Sequence, residues 1–479
     1  MKRVAVVLLL LIANAIFGSS GITVPDTAPG KLFQEWVAAF NAADISALRK
    51  FAETHYGPEA RTGRSPEQIA QGQLEDRQTV GGWDLVKVEN SSPLNLTVLL
   101  KSRATFPRYM RFGFEVSERD PTRLIQRRAD SAGLPAEAVD ERKPAAELAS
   151  EMEAKLTRLA EKGEFSGAAL LAQDGKAVWQ KIFGMADREK KIPVTLETRF
   201  RLGSLNKMFT AVAIAQLVEA GKLKFEDTLA SVLPDYPNRE VAKKITIAQL
   251  LTHTSGLGDI FGPAFFEKKD TLREVKDYLP LFVDQPLRFE PGARWSYSNG
   301  GFVVLGLVIE KLSGKNYFAY IQEHVYEPAG MTASGDMPKT ERPENLAVGY
   351  TRDPSGKFGP NWETLAFRGM SAGGGESTVG DLLRFASALR GYKLLSPDMT
   401  ERITAGKAET QPGSTSKYAY GFGDRVENGR RTVGHNGGAP GMNAALNILW
   451  KDGYTVVVLA NLDPTIAQDA ADYISDRLL

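Results

Sequence analysis

Between positions 31 and 56 apolar residues recur at three- and four-residue intervals: Leu32, Phe33, Trp36, Val37 and Phe40, then Leu48 and Phe51. That period gathers the apolar side chains on one face of a 3.6-residue turn and predicts two successive amphipathic helices. From Trp83 the pattern changes to alternation. Trp83–Val88, Leu94–Leu100, Tyr109–Val116 and Arg123–Arg127 read as extended segments, separated by turn formers such as Asn90-Ser91-Ser92-Pro93 and Asp120-Pro121. Helices followed by a meander predict a small α+β domain over residues 28–130. It carries no catalytic constellation.

Residues 129–148 are rich in Ala, Pro, Asp and Glu and lack a sustained apolar period, so a linker is expected at 131–148 and a second domain over 149–479. This domain opens with a helix near 149–162. A hairpin follows, Gly167–Ala172 and Lys176–Phe183, joined by Asp174-Gly175, a pair that tolerates the positive φ angles of a tight turn. A second hairpin near the C-terminus mirrors it: Asn443–Trp450, Asp452-Gly453 and Thr455–Asn461, before a closing helix over Ile466–Leu479. The residues between are mostly helical and loop-like. The fold class is therefore α/β in the α+β sense: both ends supply one antiparallel sheet, the middle is a large helical insertion, and chemistry is expected in the cleft where the two meet.

The first residues change the picture of location. Lys2 and Arg3 precede an apolar run, Val4–Ile12, and then small and polar residues through Gly21, the layout of a secretory signal over residues 1–20. Even extended to Phe17, the run is shorter than the roughly 17–25 residues of a spanning helix. Ala13-Asn14-Ala15 fits the cleavage rule. An exported protein, periplasmic or extracellular and without a stable anchor after cleavage, is expected.

Composition excludes several classes of function. Apolar residues at 43% and charged residues at 24% suit a soluble globular chain, and a formal charge of +1 leaves no electrostatic footprint for nucleic acid. The absence of cysteine removes disulfides, thiolate metal sites and a cysteine nucleophile. The four histidines, His55, His253, His324 and His435, are scattered, and no His-Glu-x-x-His pattern occurs, so neither a metal nor another cofactor is expected. His253 and His324 are expected to be structural. The partner this leaves is a small molecule or a peptide.

Three short elements carry the candidate chemistry. Ser204-Leu205-Asn206-Lys207 opens an apolar helical stretch, Met208–Val218, which sets the serine at a helix N-terminus and the lysine one turn later on the same face. Backbone N–H groups there stabilise negative charge, and a buried lysine with a lowered pKa can take the serine proton. An N-capping serine beside an exposed lysine has the same spacing, and Ser414-Thr415-Ser416-Lys417 repeats it, but in a Pro/Gly/Ser-rich stretch that leads into no apolar helix. Context selects Ser204. Tyr297-Ser298-Asn299 sits in a turn before a second apolar helical run; the tyrosine can relay protons and the asparagine can hold a substrate amide. His435-Asn436-Gly437-Gly438 follows a strand expected at Arg431–Val433, where the glycines allow close approach of substrate to the backbone and the histidine offers a polar contact.

In this order the elements resemble the serine β-lactamase and penicillin-binding-protein superfamily: Ser-x-x-Lys, Tyr-x-Asn, and His-x-Gly where many members have Lys-Thr-Gly. The tyrosine points to the branch with class C β-lactamases, soluble D-alanyl-D-alanine carboxypeptidases and related esterases. Leu250–Leu257 and Gly373–Thr378, with Asp381–Phe385, look like accessory stretches of the same family. The resemblance implies that Ser204 is the nucleophile, that Lys207 and Tyr297 share the proton work, and that the N–H groups of Ser204 and Gly438 form the oxyanion hole. It further implies that Asn299, His435 and Gly437 bind substrate. The implied activity is serine hydrolysis, through an acyl-enzyme, of an ester, amide or D-amino-acid peptide; the alternative is a non-catalytic or slowly acylating sensor of cell-wall fragments or penicillin. The resemblance covers residues 150–479. The N-terminal domain is loosely similar to a nuclear-transport-factor-2-like fold.

Overall fold

The computed structural model describes residues 22–353, 355–411 and 414–479. The expected signal, residues 1–20, lies outside them. Among the described residues no helix is long and apolar enough to cross a membrane. The chain forms two compact units, Met1–Glu141 and Arg142–Leu479, dividing inside the stretch expected as linker.

In the first unit α1 (Ala28–Asn41) and α2 (Ile45–His55) carry the periodic apolar positions, capped by Thr27 and Asp44. A third helix, α3 (Pro66–Val80), was not anticipated from periodicity. It buries only Ile69, Ala70, Gln73 and Val80, and its start is written instead in a capping box between Ser65 and Gln68. Strands β1 (Trp83–Ser91), β2 (Asn95–Ser102), β3 (Tyr109–Val116) and β4 (Leu124–Ser131) pair in sequence order as an antiparallel meander. Trp36 anchors the core. Its ring lies 5.2 Å from Phe112 and from Phe40, and its indole N–H donates to Gln73 Oε1 at 2.9 Å, satisfying the one polar atom it buries. The chain after β4 is no bare spacer, because Ala132, Leu134 and Ala138 pack with Leu99 and Tyr109.

The second unit begins with α4 (Ala145–Glu161), four residues earlier than the sequence pattern suggests. Strands β5 (Gly167–Gln173) and β6 (Lys176–Phe183) turn at Asp174 and Gly175, both at positive φ. The insertion contains α5 (Lys207–Glu219), α6 (Asn299–Ser313) and α7 (Val379–Arg390). The chain then returns through β7 (Ala408–Glu409), β8 (Ser416–Tyr418), β9 (Gly423–Glu427), β10 (Arg430–Ala439), β11 (Met442–Leu449) and β12 (Tyr454–Ala460), and ends in α8 (Ile466–Arg477).

These strands form one eight-stranded antiparallel sheet, ordered β7-β8-β9-β10-β11-β12-β5-β6, in which Val457 of the last strand faces Leu170 of the first hairpin. The continuous burial of β5 and β12 means that both faces are covered, with α8 packed on β11 and β12 and α7 on β12 and β5. Strand β10 is longer than expected. It runs through His435-Asn436-Gly437-Gly438 rather than ending before them, in unbroken register with β11 as far as Ala439 and Met442. Its glycines are strand glycines, and what they admit is another piece of backbone.

Candidate active site

Residues Gly203–Asn206 form a 3₁₀ turn that runs directly into α5. Three residues per turn eclipse positions 204 and 207, so the lysine stands over the serine. Every residue from Lys207 to Ala215 is buried, as expected of a helix that is apolar all round, and Lys207 is the cation carried inside with it. Its Nζ lies 3.2 Å from Ser204 Oγ, 2.8 Å from Asn299 Oδ1 and 2.5 Å from the carbonyl of Ala372. Burial lowers its pKa to about 7, against the opposing pull of Asp259.

A neutral lysine has two N–H bonds and one lone pair. Asn299 Oδ1 and the Ala372 carbonyl accept the two N–H groups, which leaves the lone pair for Ser204 Oγ. The Tyr297 side chain also hydrogen-bonds Ser204, while burial holds its hydroxyl well above the ordinary phenol range. Lys207 Nζ sits 4.8 Å from the centroid of the Tyr297 ring.

The turn is clamped from two sides. Leu202 N–H donates to Gly375 O at 2.7 Å and Gly374 N–H to Gly203 O at 3.1 Å, so the accessory stretch after Gly373 holds the nucleophile's backbone. Strand β10 closes the other side: a Cβ on Gly437 would fall 1.8 Å from Leu202 O and 3.0 Å from Ser204 N. Only glycine permits that approach, and Gly203, at φ +54, faces Gly438 in the same way. Ser204 and Gly438 thereby line one cleft from adjacent segments.

Tyr297 and Asn299 flank Ser298, whose hydroxyl caps α6 by accepting from Gly301 N at 3.1 Å and donates to Gly258 O at 2.7 Å. His253 proves to be the support of this turn. Its Nδ1 accepts from Ser298 N at 3.1 Å, its ring lies 4.2 Å from that of Tyr297, and burial keeps it neutral. The ring of His324 stacks on that of Tyr320 at 4.2 Å.

His435 faces a different way from the backbone that carries it. Its Nδ1 lies 2.5 Å from the carbonyl of Asn436, which only accepts, so Nδ1 bears the hydrogen and Nε2 accepts from the Tyr418 hydroxyl at 2.9 Å. Burial, then the Lys207 charge, lower its pKa to about 4. The third motif therefore presents a neutral imidazole where a lysine would present a permanent cation.

The sequence-derived residues thus converge on one wall. Ser204, Asn299 and Gly438 open onto one cleft, whereas Tyr297 and His435 line a second. Gly437 serves by its close approach to the turn. Two residues at the site were not legible in the sequence. Asp259 accepts from Asn299 Nδ2 at 3.1 Å and fixes the amide so that its oxygen faces Lys207; a lone carboxylate after a glycine gave no signal. Tyr418 directly follows the second Ser-x-x-Lys spacing, yet its ring packs 4.5 Å from His253.

A serine, a buried amine and a tyrosine gathered beside a strand of an antiparallel sheet define the class of the serine β-lactamases and penicillin-binding proteins. The chain belongs to that family, matching the family model described as Beta-lactamase over residues 152–479. It is 35% identical over 296 residues to the putative penicillin-binding protein PbpX of Bacillus subtilis (strain 168), covering 62% of this chain and 70% of that protein. A solved penicillin binding protein from Bacillus halodurans is similar at 34% identity and a TM-score of 0.61, over 65% of this chain and 96% of the other. A D-stereospecific amidohydrolase from Streptomyces sp. is similar at 26% identity and a TM-score of 0.58, over 70% and 98%.

Proposed function

We propose that this protein is an exported serine hydrolase that cleaves an ester or small amide, D-amino-acid peptides included, through an acyl-enzyme at Ser204. The observation that carries the reading is the placement of Lys207 Nζ, 2.8 Å from Asn299 Oδ1, 2.5 Å from the Ala372 carbonyl and 3.2 Å from Ser204 Oγ; in the neutral amine the first two accept its N–H groups and the lone pair is left to take the serine proton. Lys207 is the acylation base, because burial brings it to neutrality near pH 7 while Tyr297 keeps its proton.

Ser204 Oγ bonds to the substrate carbonyl carbon as its proton passes to Lys207. The carbonyl oxygen becomes an oxyanion held by the N–H groups of Ser204 and Gly438. The bond to the leaving group then breaks, and the proton reaches that group through the Tyr297 hydroxyl. Water attacks the acyl-enzyme by the reverse relay and releases the acid, returning the proton to Ser204. Multiple turnover of p-nitrophenyl acetate by the purified protein, lost in Ser204→Ala, is the expected result. Full turnover by that variant contradicts the mechanism, and a single stoichiometric acylation without turnover makes the protein a sensor instead.

A further inference from the structure

Arg201 is a cation without a counterpart. It stands just ahead of the turn Gly203–Asn206, in a short strand, Phe200–Arg201, paired with Glu376–Ser377. Only 8% of it is exposed, yet its guanidinium makes no hydrogen bond or ion pair with any described residue, and Nη2 is shut away from water as well. Glu376, its neighbour across the strand pair, forms no ion pair with it. Glu376 Oε1 accepts instead from Met337 N at 3.0 Å, and Oε2 is left without a hydrogen bond.

A buried polar group is ordinarily hydrogen-bonded, and a guanidinium, with its fork of donors and a charge it does not lose, is costly to leave bare. The carboxyls whose charge reaches Arg201, Glu376 and Asp336, are poor neutralisers: burial holds both above the ordinary carboxylate range, Asp336 at about 7. Arg201 also lines the cleft beside Ser204, together with a second cation, Arg368, and no Asp or Glu shares that lining. Arg368 is fixed in place, its Nε donating to Asp336 O at 3.0 Å and its guanidinium 3.5 Å over the Phe318 ring. Much of the remaining wall, Ile260, Phe265, Leu365 and Met370, is buried and apolar, and in such surroundings a charged hydrogen bond is strengthened.

We infer that Arg201 is a carboxylate receptor in the wall of the cleft, and that the substrates this chain prefers carry a free carboxylate on the arm that lies beside Ser204. The inference rests on the hydrolase reading above and deepens it by naming the charge of the substrate. A carboxylate matches the planar fork of a guanidinium and satisfies donors that no described side chain meets. The apolar residues of the wall take the methylenes between that carboxylate and the reacting carbonyl. His435, held neutral by burial, supplies no cation for this role at the third motif.

The experiment is kcat/KM on the p-nitrophenyl monoesters of succinic, glutaric and adipic acids, each against its neutral methyl ester and corrected for spontaneous hydrolysis, for the full chain and for Arg201→Met and Arg201→Lys. At the chain length that spans from Ser204 to Arg201, the free acid is expected to exceed its methyl ester by at least about tenfold, the size of one charge-assisted pair. Arg201→Met brings that ratio to about one, and Arg201→Lys, which keeps the charge without the fork, retains part of it. A parent protein that treats acid and methyl ester alike, or favours the methyl ester, at every length overturns the receptor and leaves the hydrolase reading intact, whether or not the variants fold. An acid preference that survives in Arg201→Met removes the role from Arg201. No turnover of any ester, p-nitrophenyl acetate included, overturns both readings.

Discussion

The chain contains the spacing Ser-x-x-Lys twice, and the two copies have opposite fates. At Ser204 and Lys207 the backbone is helical, so residues three apart share a face, and the surrounding insertion removes the lysine from water. At Ser414 and Lys417 the chain enters the short strand β8, residues three apart point to opposite faces, and Lys417 is exposed. The serine hydroxyl there accepts from Ser416 N at 3.1 Å, a local turn contact. The spacing is a statement about chemistry only when a helix makes it a distance and burial makes it a pKa.

The contrast is broken most sharply by four parallel substitutions. Ser204→Ala and Lys207→Met are each expected to lower ester turnover by about 1,000-fold or more, since members of one catalytic unit fail together. Ser414→Ala and Lys417→Met are expected to remain within about twofold of the parent, as surface changes do. Steady-state kinetics on p-nitrophenyl acetate decides the matter, and loss of activity in the second pair would erase the distinction.

Next in size is the pH dependence. Protonated Lys207 has no lone pair for the serine proton, so kcat/KM should fall as pH drops through about 7 and level off above it. The charge of Asp259 favours the protonated amine, so Asp259→Asn should move that inflection to lower pH. The same substitution weakens the hold on Asn299 and should cost roughly tenfold in rate. An inflection that stays in place would show that Asp259 acts on Asn299 alone.

Much of this arrangement was legible in the sequence, and what was not has physical causes. Both hairpins and the apolar α5 announced themselves because their patterns are local: Asp174-Gly175 forces a turn, and a run such as Met208–Val218 has no polar face to expose. Helix α3 escaped because its buried face is thin and is held by Gln73, which donates to the Tyr56 hydroxyl at 3.3 Å, a contact across seventeen residues. Strand β10 was expected to end at Val433 because glycines in a sequence do not say whether a strand continues through them, and only the position of Leu202 shows what their missing side chains admit. Asp259 and Tyr418 were invisible for one reason. Each acts on a residue brought near by the fold, Asn299 in one case and His435 in the other.

The smallest expected effect concerns Tyr418. Its hydroxyl occupies the lone pair of His435 Nε2, and Tyr418→Phe should raise the imidazole pKa from about 4, by a small amount because burial remains the main cause. Ester turnover should change only a few-fold. NMR titration of the His435 ring reads the shift directly, and no movement would mean that the hydrogen bond contributes nothing to keeping the imidazole neutral.

The central claim is that one of two identical spacings is a nucleophile with its base. Intact-mass analysis after brief exposure to a fluorescent penicillin and, separately, to p-nitrophenyl acetate, followed by tryptic mapping of any adduct, tests it most directly. The account predicts one acyl group per chain on the peptide Leu202–Lys207, absent in Ser204→Ala. An adduct on the peptide Ala408–Lys417, or one that survives Ser204→Ala, would contradict it.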